Sequence, residues 1–492
     1  MGFALGASSR PGPRIIIAGM RRQSLLWLVI LSLLSAACTI SPATLPPSLP
    51  APTQAATSAS PSATLPRVSP ATVTPASTNT VIPASDTPPG PPAPTATLGP
   101  TSLGRIENFE LLGHEAFNGR GWNAGLALNY PCAYIGSRRA PAVAIVDVSD
   151  PARPTPLDAL PLAPGSQPME LRAVPDLGLL VVLNFSPDLS LITFDVHDCA
   201  HPRALSTLAL GASPHEFYLW RDPSQPARVL LFVAMWGEVP DLHVVDLSDP
   251  AQPRDLGSWS PAAGGVPGIL HSLSLSPDGR LAYLALWGGG FLMADTSDFA
   301  LGRPEPALRI LAPATGVAPL PGQHVHSAVP LPDPRYVFLT QEVYNCPFAG
   351  ALIADVADPA RSRLVSRFDL PEQDPACAAL PQADAVFTSH NPLVAGPLVF
   401  VTWYGGGLQA LDVSDPANPR RVGLFVPDGS GPGGPSPYGK YPVQLWSYPI
   451  LRQGVIYVTD IVRGLYILRY TGPDAAIVNA IPLAEGNASR IP

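Results

Sequence analysis

Histidine is scarce in this chain, nine residues in 492, yet four of the nine head similar apolar runs: His215 (HEFYLW), His271 (HSLSLSP), His326 (HSAVPLP) and His390 (HNPLV). Neutral imidazole is the commonest side-chain ligand for transition ions, so four brought to one depth could hold iron, copper or zinc. The corresponding places in the remaining runs carry Asn123, Glu170 and Trp446. Glu170, together with His324 and Glu216 beside the histidines, is placed to orient ligands from behind. Inheritance from a duplicated unit, or the polar lining that a wet channel needs, also accounts for the four histidines. A second set closes the runs that come next: Trp236, Trp287 and Trp403, with Glu342 at the matching place and Gly288–290 and Gly405–407 behind two of the indoles. Aromatic side chains around a polar pit suit sugars, peptides or aromatic ligands. The competing reading is that these indoles cap an apolar core. No nucleophile elbow, phosphate loop, zinc-protease helix or calcium loop occurs, and no catalytic residue is assigned.

Something must carry these residues to one place, and the sequence supplies it as a repeat. The phrases VAIVDVSDPARP, LITFDVHDCAHP, LHVVDLSDPAQP, FLMADTSDFALG, ALIADVADPARS and LQALDVSDPANP recur at a period of roughly 50 residues, and LYILRYTGP is a decayed seventh copy. The aligned positions are Asp147, Asp195, Asp246, Asp295, Asp355 and Asp412, then Arg469. Each short apolar run reads as a strand buried on both faces. The D-x-S-D-P behind it reads as a turn, with Asp and Ser accepting local N–H groups and Pro ending the strand. One apolar run precedes each phrase, another precedes that, and a fourth follows. Four short strands per unit, seven times, predict an all-β fold: a seven-bladed β-propeller of four-stranded blades. The seventh copy has no fourth strand after it, but NFELLGHEAF (108–117) resembles the other fourth strands, so this N-terminal segment is expected to complete blade seven and close the ring. Innermost strands line the central channel, which puts the four histidines around the axis. Four ligands about 2 Å from one ion need a narrow throat, and seven-bladed rings have wide ones.

The phrase VAIVDVSDP resembles the LVIVD-repeat family of bacterial and archaeal surface propellers, and the resemblance runs over essentially all of residues 105–471. It implies a propeller exposed at the cell surface and carries little about reaction or ligand.

Composition agrees with an exported β protein. Only 13% of residues are charged and 64 are Pro, which excludes a helix-rich enzyme fold. The net charge of -8 excludes nucleic acid as the main partner, because no basic patch can displace counterions from phosphates. A basic pair (Arg21, Arg22) and an apolar run over 25–37 form a secretory signal, with Met20 the better start. The LSAAC ending at Cys38 resembles a bacterial lipoprotein signal, which implies lipidation of Cys38; an ordinary cleaved signal is the alternative. Residues 39–102 hold 16 Pro, 13 Thr and 9 Ser with two charges, so they cannot bury a core and are expected to form a disordered, extended stalk. The organisation is therefore signal 1–38, linker 39–102, propeller 103–472 and tail 473–492. Four further cysteines suit an oxidising compartment. The propeller frame pairs Cys132 with Cys199 and Cys346 with Cys377, free buried thiols being the alternative. The function expected is binding or scaffolding at the cell surface by a monomer anchored to the membrane through its lipid, or secreted. The alternative is a metal-dependent enzyme built on the four histidines.

Overall fold

The computed structural model describes residues 103–237, 239–261, 266–311, 324–380 and 385–489. Cys38, the signal and the linker lie outside the described residues.

The chain folds as seven antiparallel blades of four strands, three of which carry a further short strand. Blade one holds Asn123–Asn129, Cys132–Ser137, Ala142–Asp147 and Thr155–Pro156. Blade two holds Pro168–Val174, Leu179–Asn184, Ser190–Asp195 and Arg203–Ala209. Blade three is Pro214–Arg221, Val229–Met235, Leu242–Asp246 and Arg254–Trp259. Blade four is Ile269–Leu275, Leu281–Trp287, Gly290–Asp295 and Arg309–Ile310. Blade five is Val325–Pro330, Tyr336–Gln341, Ala351–Asp355 and Arg363–Phe368. Blade six is Pro392–Ala395, Leu398–Thr402, Leu408–Asp412 and Arg420–Val426, with Arg105–Glu107 added outside. Blade seven takes Ile450–Arg452, Val455–Asp460 and Gly464–Tyr470 from one end of the chain and Phe109–Glu115 from the other.

The apolar runs are buried on both faces because each sheet packs between two others. Seven clusters fill the seven gaps. Tyr134 and Ile145 meet Leu171 and Val182 between blades one and two, and so on round to Leu126 and Ile135 against Tyr457 and Ile467 between blades one and seven. Every repeat Asp is the last residue of its third strand, and its Oδ1 accepts the N–H two residues on, at 2.8 Å from Ser149 in blade one and 2.9 Å from Ser248 in blade three. In blades two, three, five and six the other carboxylate oxygen takes an Arg from the paired place on the fourth strand, Arg254 for Asp246 and Arg363 for Asp355 among them, whereas Asp147 faces Thr155. The seventh copy keeps this cross-strand pair with its polarity reversed. Arg469 stands on the third strand and Glu110 opposite it on the fourth, 2.9 Å apart.

The two disulfides are Cys132–Cys199, between blade one and a turn of blade two, and Cys346–Cys377, between a loop of blade five and the helix Gln373–Ala379. Among the described residues no helix is long and apolar enough to cross a membrane.

The segment past residue 472 is built into the fold. After the helix Ala475–Asn479, Ala484–Glu485 pairs with Ile450–Arg452 on the axial side of blade seven, and Ala488 then bridges Leu219 of blade three. Asn487 is buried there, giving its side-chain N–H to the Phe217 carbonyl and accepting from Arg172. The chain end thus crosses the lower mouth of the channel, and the Asn487-Ala488-Ser489 sequon is spent on internal contacts.

Candidate metal centre

The geometry of the site starts from a bulge. In blades two to five the innermost strand carries one extra residue against its neighbour: Met169, His215, His271 and His326. A bulge swings its residue out of the alternating pattern, here toward the axis. His390 precedes the first strand of blade six, and in blade seven Trp446 and Ser447 both donate to the Thr459 carbonyl. The axial ring is therefore Met169, His215, His271, His326, His390 and Trp446, with Ala124 from blade one in the apolar cluster that Met169 and Trp446 share.

Two sequence assignments shift by one place. Glu170 is not the equivalent of the histidines; Met169 is, and Glu170 aligns with Glu216 one step deeper. Asn123 likewise lies one place before the ring, with its side-chain N–H groups on the Asp460 and Ile461 carbonyls.

The four imidazoles form an arc, with successive ring centres 4.4, 4.2 and 4.0 Å apart. His215 Nε2 is 2.8 Å from His271 Nε2. Two carboxylates enter the arc from different layers. Glu342, which follows the second strand of blade five, lies 4.0 Å from both His271 Nε2 and His326 Nε2 and 3.4 Å from His390 Nε2. Glu216 reaches His326 Nε2 at 3.5 Å. In each of two sets, Glu216 with His271 and His326, and Glu342 with His326 and His390, the ligand atoms lie within 4.8 Å of one another. Ligand atoms around one ion at ~2.1 Å stand up to ~4.2 Å apart, so a small contraction would seat an ion. The space these residues line is about 20 Å³, the size of one ion or one water.

Hydrogen bonds behind the ring turn the Nε2 lone pairs of His326 and His390 inward. His390 Nδ1 donates to the Trp446 carbonyl at 2.7 Å. His326 Nδ1 meets Ser327 Oγ at 2.8 Å, Ser327 meets the Tyr448 hydroxyl at 3.1 Å, and Tyr448 donates to Glu216 at 2.9 Å. One direction of donation satisfies that whole chain: imidazole to serine, serine to tyrosine, tyrosine to an ionised Glu216. On the other carboxylate, Tyr404 donates to Glu342. Burial, with Arg138 adding to it, lowers His215 to about 3, and burial with neighbouring imidazoles holds His271, His326 and His390 well below the ordinary histidine value. Burial raises Glu342 and Glu170 to about 7 and puts Glu216, next to Glu170 and Glu342, well above a normal carboxyl. Neutral imidazoles beside carboxylates that resist ionising alone describe a site that a cation would satisfy.

Above the arc, Trp236 stacks near His215 at 4.8 Å and Trp287 on His271 at 5.2 Å. Trp236 is 36% exposed, and Trp287 lies beside it at 5.5 Å. His324 is not a partner of the histidines: it stacks on Trp287 at 4.2 Å, on the rim. Trp403 does not join the rim. It is fully buried between blades five and six, edge-on to Phe368. Thr402 exchanges backbone bonds with His390 and Asn391, which makes Tyr404 the residue equivalent to Glu342 and Trp236. A one-residue step along a strand moves a side chain to the other face.

The sequence reading missed Tyr404, Tyr448 and Arg138. The signal for Tyr404 and Arg138 was one position beyond the end of each apolar run, where Glu342 was already noted.

Three segments, 129–157, 231–259 and 393–425, match the family model described as LVIVD repeat. No curated protein sequence matches the chain. Among solved structures, the periplasmic gluconolactonase of Pseudomonas aeruginosa is 18% identical, with a TM-score of 0.47 over 75% of this chain and 99% of that one. The Cps50 (Swd1) β-propeller domain of Myceliophteria thermophila is 11% identical, with a TM-score of 0.48 over 74% and 99%. A protein from Lactobacillus plantarum is 16% identical, with a TM-score of 0.45 over 62% and 86%. At such values the resemblance says nothing about the site.

Proposed function

We propose that this chain, an LVIVD-repeat β-propeller, is an extracytoplasmic protein that binds one transition-metal ion at the upper end of its axis and acts on a small ligand there. The observation that carries the reading is two sets of three ligand atoms from consecutive blades, Glu216 with His271 and His326 and Glu342 with His326 and His390, which share His326, with His215 Nε2 against His271 Nε2. A mixed imidazole and carboxylate set suits Fe(II), Zn(II) or Cu(II). The two disulfides suit an oxidising compartment. The setting proposed is the outside of a bacterial membrane, with Cys38 lipidated and residues 39–102 as the stalk. The exposed Trp236 favours a second reading, a surface binding or scaffolding module that needs no ion.

Metal content separates the two. The full chain, purified without chelator and then incubated with each ion and desalted, is expected to retain about one ion per chain. His271→Ala and His326→Ala should lose it, and His201→Ala, on an exposed lower turn, should keep it. Retention below about a tenth of an ion per chain with all three metals overturns the metal reading and leaves the binding module.

A further inference from the structure

One cation at the mouth has neither a hydrogen-bonded nor an ion-paired partner among the described residues, only the longer-range pull of Glu342 and Glu170. Arg138 follows the second strand of blade one, at the place that Trp236 and Glu342 occupy in their blades, and it lines the same small space as the four histidines and Glu342. Arginines this deep are normally paired. Arg172 has Glu170 and Asn487, Arg221 has both oxygens of Asp176, and Arg463 has four backbone carbonyls. The Arg138 guanidinium makes no hydrogen bond and no ion pair among the described residues, and its buried Nε lacks an acceptor. What it has instead are rings: its centre lies 4.5 Å over Trp446 and 5.3 Å over Tyr438. Stacking occupies the faces of a guanidinium and leaves its N–H edges, which lie in the plane, for a planar acceptor. The matching acceptor is a carboxylate, held by two parallel N–H bonds.

The surroundings select what the carboxylate is attached to. Across the mouth stand Trp236, partly exposed, and Trp287, and Tyr344 stacks on Tyr438 at 5.4 Å. Aromatic walls of this kind offer faces to a flat ring. We propose that the mouth of the axial site recognises a small aromatic carboxylate, with Arg138 binding the carboxylate and the Trp236–Trp287 pair forming a wall for the ring. This names the ligand class of the site assigned above, but it stands on Arg138 and the rings, which need no ion.

The test titrates the full chain with benzoate and with benzyl alcohol, following indole fluorescence and heat, once after chelation and once after loading with Zn(II). Benzoate is expected to bind in both states and at least tenfold more tightly than the alcohol. Arg138→Gln should weaken benzoate at least tenfold, and Trp236→Ala, at an exposed position, severalfold. If Arg138→Gln does not fold, the Trp236→Ala titration decides alone. Benzoate binding no tighter than benzyl alcohol, or unchanged in both variants, overturns the proposal. Zn(II) failing to load while the Arg138 dependence persists removes the metal reading and leaves this one in place.

Discussion

Trp236 and Trp403 close equivalent apolar runs, yet the fold uses them oppositely, and substituting each by Ala exposes the difference. Trp403 is fully buried between blades five and six, and its indole N–H has no acceptor, so its removal sacrifices packing alone. An indole buries about 200 Å². At about 25 cal/mol per Å² that is roughly 5 kcal/mol. Measured Trp to Ala losses in cores are about 3–5 kcal/mol, and Trp403→Ala should fall there because strands on both sides prevent the gap from collapsing. Trp236 is 36% exposed at an open mouth, so Trp236→Ala leaves no enclosed cavity and should cost about 1 kcal/mol. The assay is urea unfolding of the full oxidised chain, comparing midpoints at constant slope. The function should split the other way, with benzoate affinity reduced in Trp236→Ala and retained in folded Trp403→Ala. Equal losses of stability for the two variants would refute the assigned register.

The remaining predictions concern pH and the chain end. In metal-free protein the four axial imidazoles are held neutral while the unfolded chain protonates them below about 6.5, so they remove stability as pH falls. Glu170, Glu216, Glu342 and Glu485 are raised, so they take up protons in the folded state first and add stability as pH falls, until the unfolded carboxyls titrate near 4.5. The two effects oppose between 6.5 and 4.5; below that only the histidine loss remains, and the depressed Asp195 and Asp355 join it. The melting temperature under chelation should therefore be nearly flat from pH 6.5 to 4.5 and drop steeply below, and a plateau persisting to pH 3 would contradict the neutral imidazoles. Ending the chain after Ile481 removes the pairing of Ala484–Glu485 with blade seven and of Ala488 with blade three, and strips Arg172 of Asn487. Its melting temperature should fall by several degrees; an unchanged value would mean that the lower-mouth crossing contributes nothing to stability.

The architecture was legible because it is written seven times. A period of roughly 50 residues with a turn chemistry that repeats at Asp147, Asp195 and Asp246 fixes blade, strand order and face, and from those the histidine arc and both disulfides follow. What was not legible is the register within a blade. A bulge adds one residue without disturbing the apolar pattern, so Met169 and Glu170 exchange roles, and so do Trp403 and Tyr404. The lower-mouth crossing was hidden for a different reason. Ala484–Glu485 is a strand of two residues, and Asn487 earns its burial through single hydrogen bonds to Phe217 and Arg172, which leave no periodic trace.

The bulges also answer the objection that a seven-bladed axis is too wide for one ion. Width matters only if all ligands come from one ring of equivalent positions. Here the ring is divided: His215, His271, His326 and His390 occupy one arc, and Met169, Trp446 and Ala124 fill the rest with apolar bulk. The gap left inside the arc is spanned by glutamates, whose longer side chains come from the neighbouring layers, Glu342 at the strand ends above and Glu216 one step below. Each is anchored from behind by a tyrosine, Tyr404 for Glu342 and Tyr448 for Glu216. A hydroxyl donated to a carboxylate favours its ionised form, which partly offsets the burial that disfavours it. Histidines inherited idly through duplication would not require two buried carboxylates, from different layers, each held by its own tyrosine at the one place where the imidazoles converge.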